Sequence, residues 1–365
     1  MAPLHDSNSR GLFLSGALLL FPGLSLLLCA ACSPSQAAGC TPGLVRACPC
    51  AGGAQGVQTC NPDGQSWSTC TGCPGQADAG RDGPGSDRQL PDLPPQNTDA
   101  RVPGAWVTIK AGTFTMGSAA SSPCHDSTET QHRVTLTNDF QISSTEVTQA
   151  QFKEVAGYDP SAHTTCGTTC PVERVNWHEA AAYCNALSRR RGLARCYTCT
   201  GVGSYVTCAL GPAYSPPGHT IYDCPGYRLP TDAEWECAYR AGTTSDLYNG
   251  AISTCNGADP NADQIGWYDK NSGDRLHPVG QKKPNAHGLY DMAGNIREWC
   301  HDGYSMDLGT APQTNPMGPE TASARVWRSG SFVGIVRGLR AAFRTLSTPD
   351  FRCVYQGFRC ARSLR

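Results

Sequence analysis

Twenty-one cysteines set the terms on which this chain can fold. Thiols at that density are a liability in a reducing cytosol, whereas an oxidising compartment turns them into disulfides that persist. The rest of the composition needs such cross-links. Forty glycines and twenty-seven prolines against only 16% charged residues describe a loop-rich protein with limited regular structure. The net charge of −1 and the scattered Lys and Arg residues form no basic stripe, so nucleic acid is not expected as a partner. At 365 residues the chain can still bury a sizeable core, as one large domain or two medium ones.

The N-terminus points to export. Arg10 precedes an apolar run, Gly11 to Leu28, that carries Pro22 and ends in Ala30 and Ala31 before Cys32. This resembles a bacterial lipoprotein signal over residues 1–31, which makes Cys32 the lipidated first residue of a short segment, 32–39. A retained membrane-spanning helix is the competing reading, since the run is just long enough, and the Ala-Ala-Cys ending favours the lipoprotein. Residues 40–73 hold Cys40, Cys48, Cys50, Cys60, Cys70 and Cys73 with almost no aliphatic residues. They read as a small module stapled by three bridges, and no His is present to suggest zinc. From 74 to 103 the sequence is Gly-, Asp- and Pro-rich without hydrophobic period, a linker that would hold the last domain off a membrane surface.

The large domain occupies 104–365. Trp106 to Lys110 and His132 to Thr137 alternate as strands do, and Gly112 to Ser118 supplies a turn between β-rich runs. Three short helices carry capping boxes: Thr148 with Gln151, Asn176 with Glu179, and Thr231 with Glu234, the last helix stopping at Gly242. Between the second and third, Cys196, Cys199, Cys208 and Cys224 are spaced as two local disulfides or a metal site would be. Helical patterns are then sparse, and Asn256 to Gln281 is dominated by Gly, Asn and Asp. The fold class is α+β with low regular secondary structure.

Pro284 to Cys300, PNAHGLYDMAGNIREWC, is the stretch around which this domain is organised. Gly288 and Gly294 break regular structure, while Leu289, Tyr290, Met292 and Trp299 are too apolar for water, so the loop is expected to be buried. Its unsatisfied backbone groups need polar partners, and Asp291 and Glu298 stand beside them. Side-chain capping and a bound calcium ion both answer that need, and spacing alone favours capping.

Several stretches line up together: GTFTMGS, EVTQAQF (Glu146 to Phe152), PVERVNWHEAAAYCNAL (Pro171 to Leu187), YRLPTDAEWE (Tyr227 to Glu236), NAHGLYDMAGNIREW, and RSGSF with QGFRCAR near the end. In this order they resemble the formylglycine-generating enzyme family, the sulfatase-modifying factors, over residues 104–362. The resemblance implies a formylglycine-generating-enzyme-like fold, distantly C-type-lectin-like, stabilised by disulfides and calcium. It implies a calcium site from the Asp291 and Glu298 side chains with the Gly294 and Ile296 carbonyls, and a Cys184–Cys360 disulfide worth roughly 4 kcal/mol if unstrained.

The family's chemistry oxidises a sulfatase cysteine to formylglycine with oxygen and a copper ion on two cysteines. Thiolates suit copper(I), and other residue types do not replace them. Those cysteines would follow Ser331 and Phe332, yet Val333 to Phe343 contains none. Copper is therefore not expected. Two more pocket positions depart, Arg297 standing for an aromatic and Tyr355 for an asparagine. Ser331 matches a pocket serine, although a turn role is simpler. His178, His287 and His301 form no metal-like pattern for iron. Cys124, Cys237, Cys255, Cys300 and Cys353 have no assigned partners. The thirteen cysteines of the domain leave at least one thiol free.

The resulting expectation is a lipid-anchored protein of the cell envelope, periplasmic or surface-exposed. Its last domain would bind a peptide, glycan or envelope component rather than turn over a substrate. The alternative is an oxidase of the formylglycine type, or a related oxygen-dependent enzyme, with thiols recruited from elsewhere such as Cys353.

Overall fold

A computed structural model describes residues 45–49, 55–59, 66, 105–215 and 218–364. The leader, Cys32, the linker and the pairing of the six module cysteines lie outside the described residues. Within the module, Val45–Pro49 and Gln55–Thr59 pair as an antiparallel hairpin.

The three capped helices form where their local chemistry places them. Helix α1 spans Gln149–Ala156, α2 Trp177–Arg190 and α3 Asp232–Arg240, with complete capping boxes at Thr148, Asn176 and Thr231. In each, two orphan N–H groups are satisfied by side chains three residues apart, a purely local arrangement. α3 ends one residue before the expected Gly242, because Ala241 itself turns left-handed and donates its N–H to Cys237. A fourth, one-turn helix covers Ala262–Ile265.

Short strands supply the β component. The C-terminal strand Ala361–Ser363 sits between Phe140–Ser143 and Tyr227–Arg228, with Trp106–Ile109 at the edge. A second sheet has the order Thr345–Ser347, Arg325–Arg328, Arg297–Gly303, Gln356–Gly357. The first five residues of the expected turn, Gly112–Met116, instead form a strand antiparallel to His132–Leu136. Thr113, Phe114 and Thr115 favour pleated backbone, and the chain turns only at Gly117, whose φ is +89°. A Cβ there would lie 2.6 Å from the carbonyl oxygens of Glu129 and Thr130, so this position requires glycine.

The core is built from Trp177, Trp235 and Trp299 and, unusually, from four fully buried arginines. Each of these has a carboxylate partner: Arg228 with Glu234, Arg340 with Glu129, Arg359 with Glu298, and Arg328 with both Asp232 and Glu236. Forked Arg–carboxylate pairs tie loops together where backbone ladders are too short to do so.

Disulfides complete the frame. Cys196–Cys224 and Cys199–Cys208 close the insert, so the disulfide reading of those four residues is the observed one. Cys124 bonds Cys255 across 131 residues, and Cys353 is also disulfide-bonded, which corrects the expectation that these three lacked partners. Cys166–Cys170 is a further bridge that the sequence reading did not single out. Cys184, Cys237, Cys300 and Cys360 carry free thiols. The pair implied by resemblance, Cys184 and Cys360, meets with its sulfurs 3.5 Å apart but unbonded.

Candidate functional site

Loop 284–300 is pinned from below. Asn285 donates from Nδ2 to the carbonyls of Ala238 and Tyr239 at the end of α3, and its Oδ1 accepts the N–H groups of His287 and Leu289. Asp291, Gly294 and Asn295 all adopt positive φ. At Gly294 a Cβ would meet the Trp267 carbonyl oxygen at 2.2 Å, so only glycine lets the loop pair with Gly266–Trp267.

The loop presents two carboxylates in different circumstances. Glu298 is closed: Arg359 donates to both of its oxygens at 2.7 Å, and Trp235 Nε1–H donates to Oε2 at 2.8 Å. Asp291 is open on one side. Its Oδ2 accepts from the Gly280 N–H at 2.6 Å, while Oδ1 is buried without a hydrogen-bond partner. Its electrostatic neighbour is Glu146, whose Oε2 is likewise buried and unpartnered and whose Oε1 accepts from Asn295 Nδ2 at 3.3 Å. Burial first, then the charge of Asp291, pushes Glu146 well above the usual carboxylate range, and burial raises Asp291 as well. Two buried carboxyls so placed need a shared proton or a cation between them.

Sequence reasoning did not assign Glu146 to this site, although it opens the quoted EVTQAQF motif. Among the described residues no group of three or more His, Cys, Asp or Glu side chains gathers as a metal site. A cation at Asp291 and Glu146 would thus need backbone carbonyls, the ligand type calcium accepts. The Gly294 carbonyl lies at this loop and accepts Ser329 Oγ–H at 3.0 Å.

The segment after Ser331 packs directly on this loop. Phe332 N–H donates to the Asn295 carbonyl, Ser272 Oγ–H to the Phe332 carbonyl, and Gly334 N–H closes a tight turn on the Ser331 carbonyl. Ser331 Oγ is buried and has no partner. A side chain at position 334 would begin 3.3 Å from that oxygen, so Gly334 marks the position that faces Ser331. No thiol stands in Val333 to Phe343. The other two departures meet one another: the Arg297 guanidinium lies 3.9 Å from the Trp327 ring and 4.4 Å from the Tyr355 ring. Gln356, the strand partner of Arg297, is fully buried with both amide atoms unpartnered, a feature no local pattern announces.

On the other side of this segment His163 packs edge-on against Phe332 at 5.6 Å. Behind it is Glu173, buried, accepting the backbone N–H groups of Ala162 and His163, with Oε1 3.5 Å from His163 Nδ1. Burial pushes the Glu173 carboxyl up to about 7. The folded state therefore favours its protonated form, so stability from this group is full below its ordinary value of 4.5 and is lost as pH rises through about 7. Glu173→Gln should flatten the dependence of the urea midpoint on pH across that window, and an unchanged slope would contradict this.

Among the described residues the histidines considered for iron join no group of three or more His, Cys, Asp or Glu side chains that could hold a metal. His178 Nδ1 accepts the Cys208 N–H, His301 is buried against the Tyr197 hydroxyl, and His287 lies in the pinned loop.

A loop-rich α+β domain with capped short helices, buried Arg–carboxylate forks and the 284–300 loop set against Ser331 defines the class of the sulfatase-modifying factors. The family model described as "Sulfatase-modifying factor enzyme 1-like domain" matches residues 91–364, and the chain belongs to that family. It is 33% identical over 286 residues to "Chaperone protein LppX" of Paenibacillus barcinonensis, covering 70% of this chain and 89% of that relative. It is 39% identical over 153 residues to the formylglycine-generating enzyme of Thermomonospora curvata, a match over 37% of this chain and only about half, 49%, of the relative. Among solved structures, "Treponema denticola variable protein 1" superposes with a TM-score of 0.60 at 32% identity, over 71% of this chain and 95% of that one. Among the described residues no helix is long and apolar enough to cross a membrane.

Proposed function

We propose that this domain does not carry out the copper chemistry of its family and is a module that binds a peptide, glycan or envelope component, carried on an exported, lipid-anchored chain. The observation that carries the reading is chemical. The segment Val333 to Phe343 holds no cysteine where copper(I) would need two thiolates, and Arg297 with Tyr355 occupies the adjoining pocket positions. Exposed Val333 and Ile335 on that segment supply apolar contact surface instead. Likeness to a relative named a chaperone, over most of both chains, supports a protein or peptide as the bound class.

Calcium would stiffen the frame under this surface. Asp291 and Glu146, with their unpartnered oxygens, would hold it together with the Gly294 and Ile296 carbonyls, and Glu298 would act through Arg359 to position the loop. The ion supplies charge neutralisation for two buried carboxylates.

The test is mass spectrometry of a cysteine-containing sulfatase-motif peptide incubated with the full chain, copper and oxygen. The cysteine should remain unconverted, while the relative from Thermomonospora curvata serves as the comparison. Conversion to formylglycine would overturn the proposal and point to an oxidase with a relocated thiol pair.

A further inference from the structure

The loop closed by Cys166–Cys170 borders the start of the Ser331 segment. His163, three residues before Cys166, packs on Phe332. Cys166 Sγ lies 3.2 Å from the Leu276 carbonyl oxygen, and the next residue, His277, bonds through its N–H to Asn295 Oδ1. The bond thus sits against the wall that also holds Phe332. Its two residues are unequal: Cys166 is half-buried, whereas Cys170 is fully buried. Thr164, Thr165, Thr168 and Thr169 around them are exposed.

This bridge also contributes least to holding the fold. Cys124–Cys255 and Cys196–Cys224 span 131 and 28 residues, and Cys199–Cys208 joins two paired strands, but Cys166–Cys170 closes a separation of only 4. The entropy a cross-link removes from the unfolded chain grows with the length of the loop it closes, so the shortest loop gains least. The ends of its loop are held independently. Gln149 N–H donates to the Cys170 carbonyl, Ala150 N–H to Thr168, Val279 N–H to Thr169 and Cys166 N–H to His163. Opening the bond would leave those contacts in place, so it can cycle without unfolding the domain.

We propose that Cys166–Cys170 is a thiol–disulfide exchange site acting on the cysteine thiols of an exported protein client held at the Ser331 face. The client thiolate attacks Cys166 Sγ. A client–Cys166 disulfide forms, the Cys166–Cys170 bond breaks, and Cys170 leaves as a thiolate that takes up a proton. A second client thiol gives up its proton and attacks the mixed disulfide, releasing Cys166. The client's two thiols are thereby oxidised to a disulfide and the protein's disulfide is reduced to two thiols. A small-molecule disulfide restores it by the reverse exchange, becoming two thiols itself. His163, whose carbonyl accepts the Cys166 N–H and whose Nδ1 lies 3.5 Å from Glu173, is the positioning residue.

The experiment treats the full chain with glutathione redox buffers, followed by differential alkylation and peptide mapping. Cys166 and Cys170 should become alkylatable while Cys196, Cys224, Cys199 and Cys208 stay oxidised. In reciprocal variants, Cys170→Ala should capture glutathione on Cys166 roughly tenfold faster than Cys166→Ala captures it on Cys170. His163→Ala should slow capture in the Cys170→Ala background without moving the thermal midpoint. Opening together with the other bridges, equal capture by the two variants, or a Cys166 that stays a free thiol would each overturn the proposal. Since both single variants retain every other bridge, loss of folding in one leaves the wild-type reduction order as the deciding measurement.

Discussion

Arg359→Met is expected to destabilise the domain by about 3–5 kcal/mol, read as a fall in the urea or thermal midpoint. Methionine keeps the apolar stem but removes the fork that closes Glu298, and it also releases the Ser143 and Tyr290 carbonyls that Arg359 bridges. Glu298 would then be a buried carboxylate left with one hydrogen bond from Trp235. The loss of Arg359 also removes a positive charge that lowers both Glu146 and Asp291, so the burial that raises those two carboxyls would be opposed less. Pairing the change with Glu298→Leu should recover much of the loss, because a buried ion pair is expensive to break by halves and cheap to replace whole. A single-variant cost below about 1 kcal/mol, the range of an exposed ion pair, would show that water reaches this pair.

Calcium should raise the unfolding midpoint of the native chain, by about 2.7 kcal/mol at a hundredfold excess over the dissociation constant, and chelation should reverse it. Asp291→Asn and Glu146→Gln should each abolish most of that calcium-dependent gain while raising the stability of the metal-free protein, since each removes one of two mutually repelling buried charges. The sign with pH follows from the raised carboxyls. Without calcium, stability from Glu146 and Asp291 is present at acid pH and is lost as pH rises and both are driven to ionise. With calcium the dependence inverts, because protons compete with the ion for the same oxygens. Equal midpoints with calcium and with chelator, across that pH range, would remove the ion from the proposed frame.

These two results probe what local sequence cannot state. The three helices were legible because a capping box spans three residues; the four insert cysteines suggested two local disulfides or a metal site, and the structure decided for Cys196–Cys224 and Cys199–Cys208. That Val333 to Phe343 contains no cysteine is read from residue type alone. Family membership followed from ordered motifs, and with it the α+β, loop-rich class.

Only the tertiary structure decided which carboxylate is open. Asp291 and Glu298 look equivalent along the loop, yet Arg359 comes from the C-terminal segment to close one, and Glu146 comes from before α1 to face the other. It also decided that Cys124 bonds Cys255, that Arg297 stacks on Tyr355, and that Cys166–Cys170 borders the Ser331 face. Helix caps are set by neighbours three residues away, and sequence holds those. Partners chosen across long irregular loops have no period to mark them, so packing alone selects them.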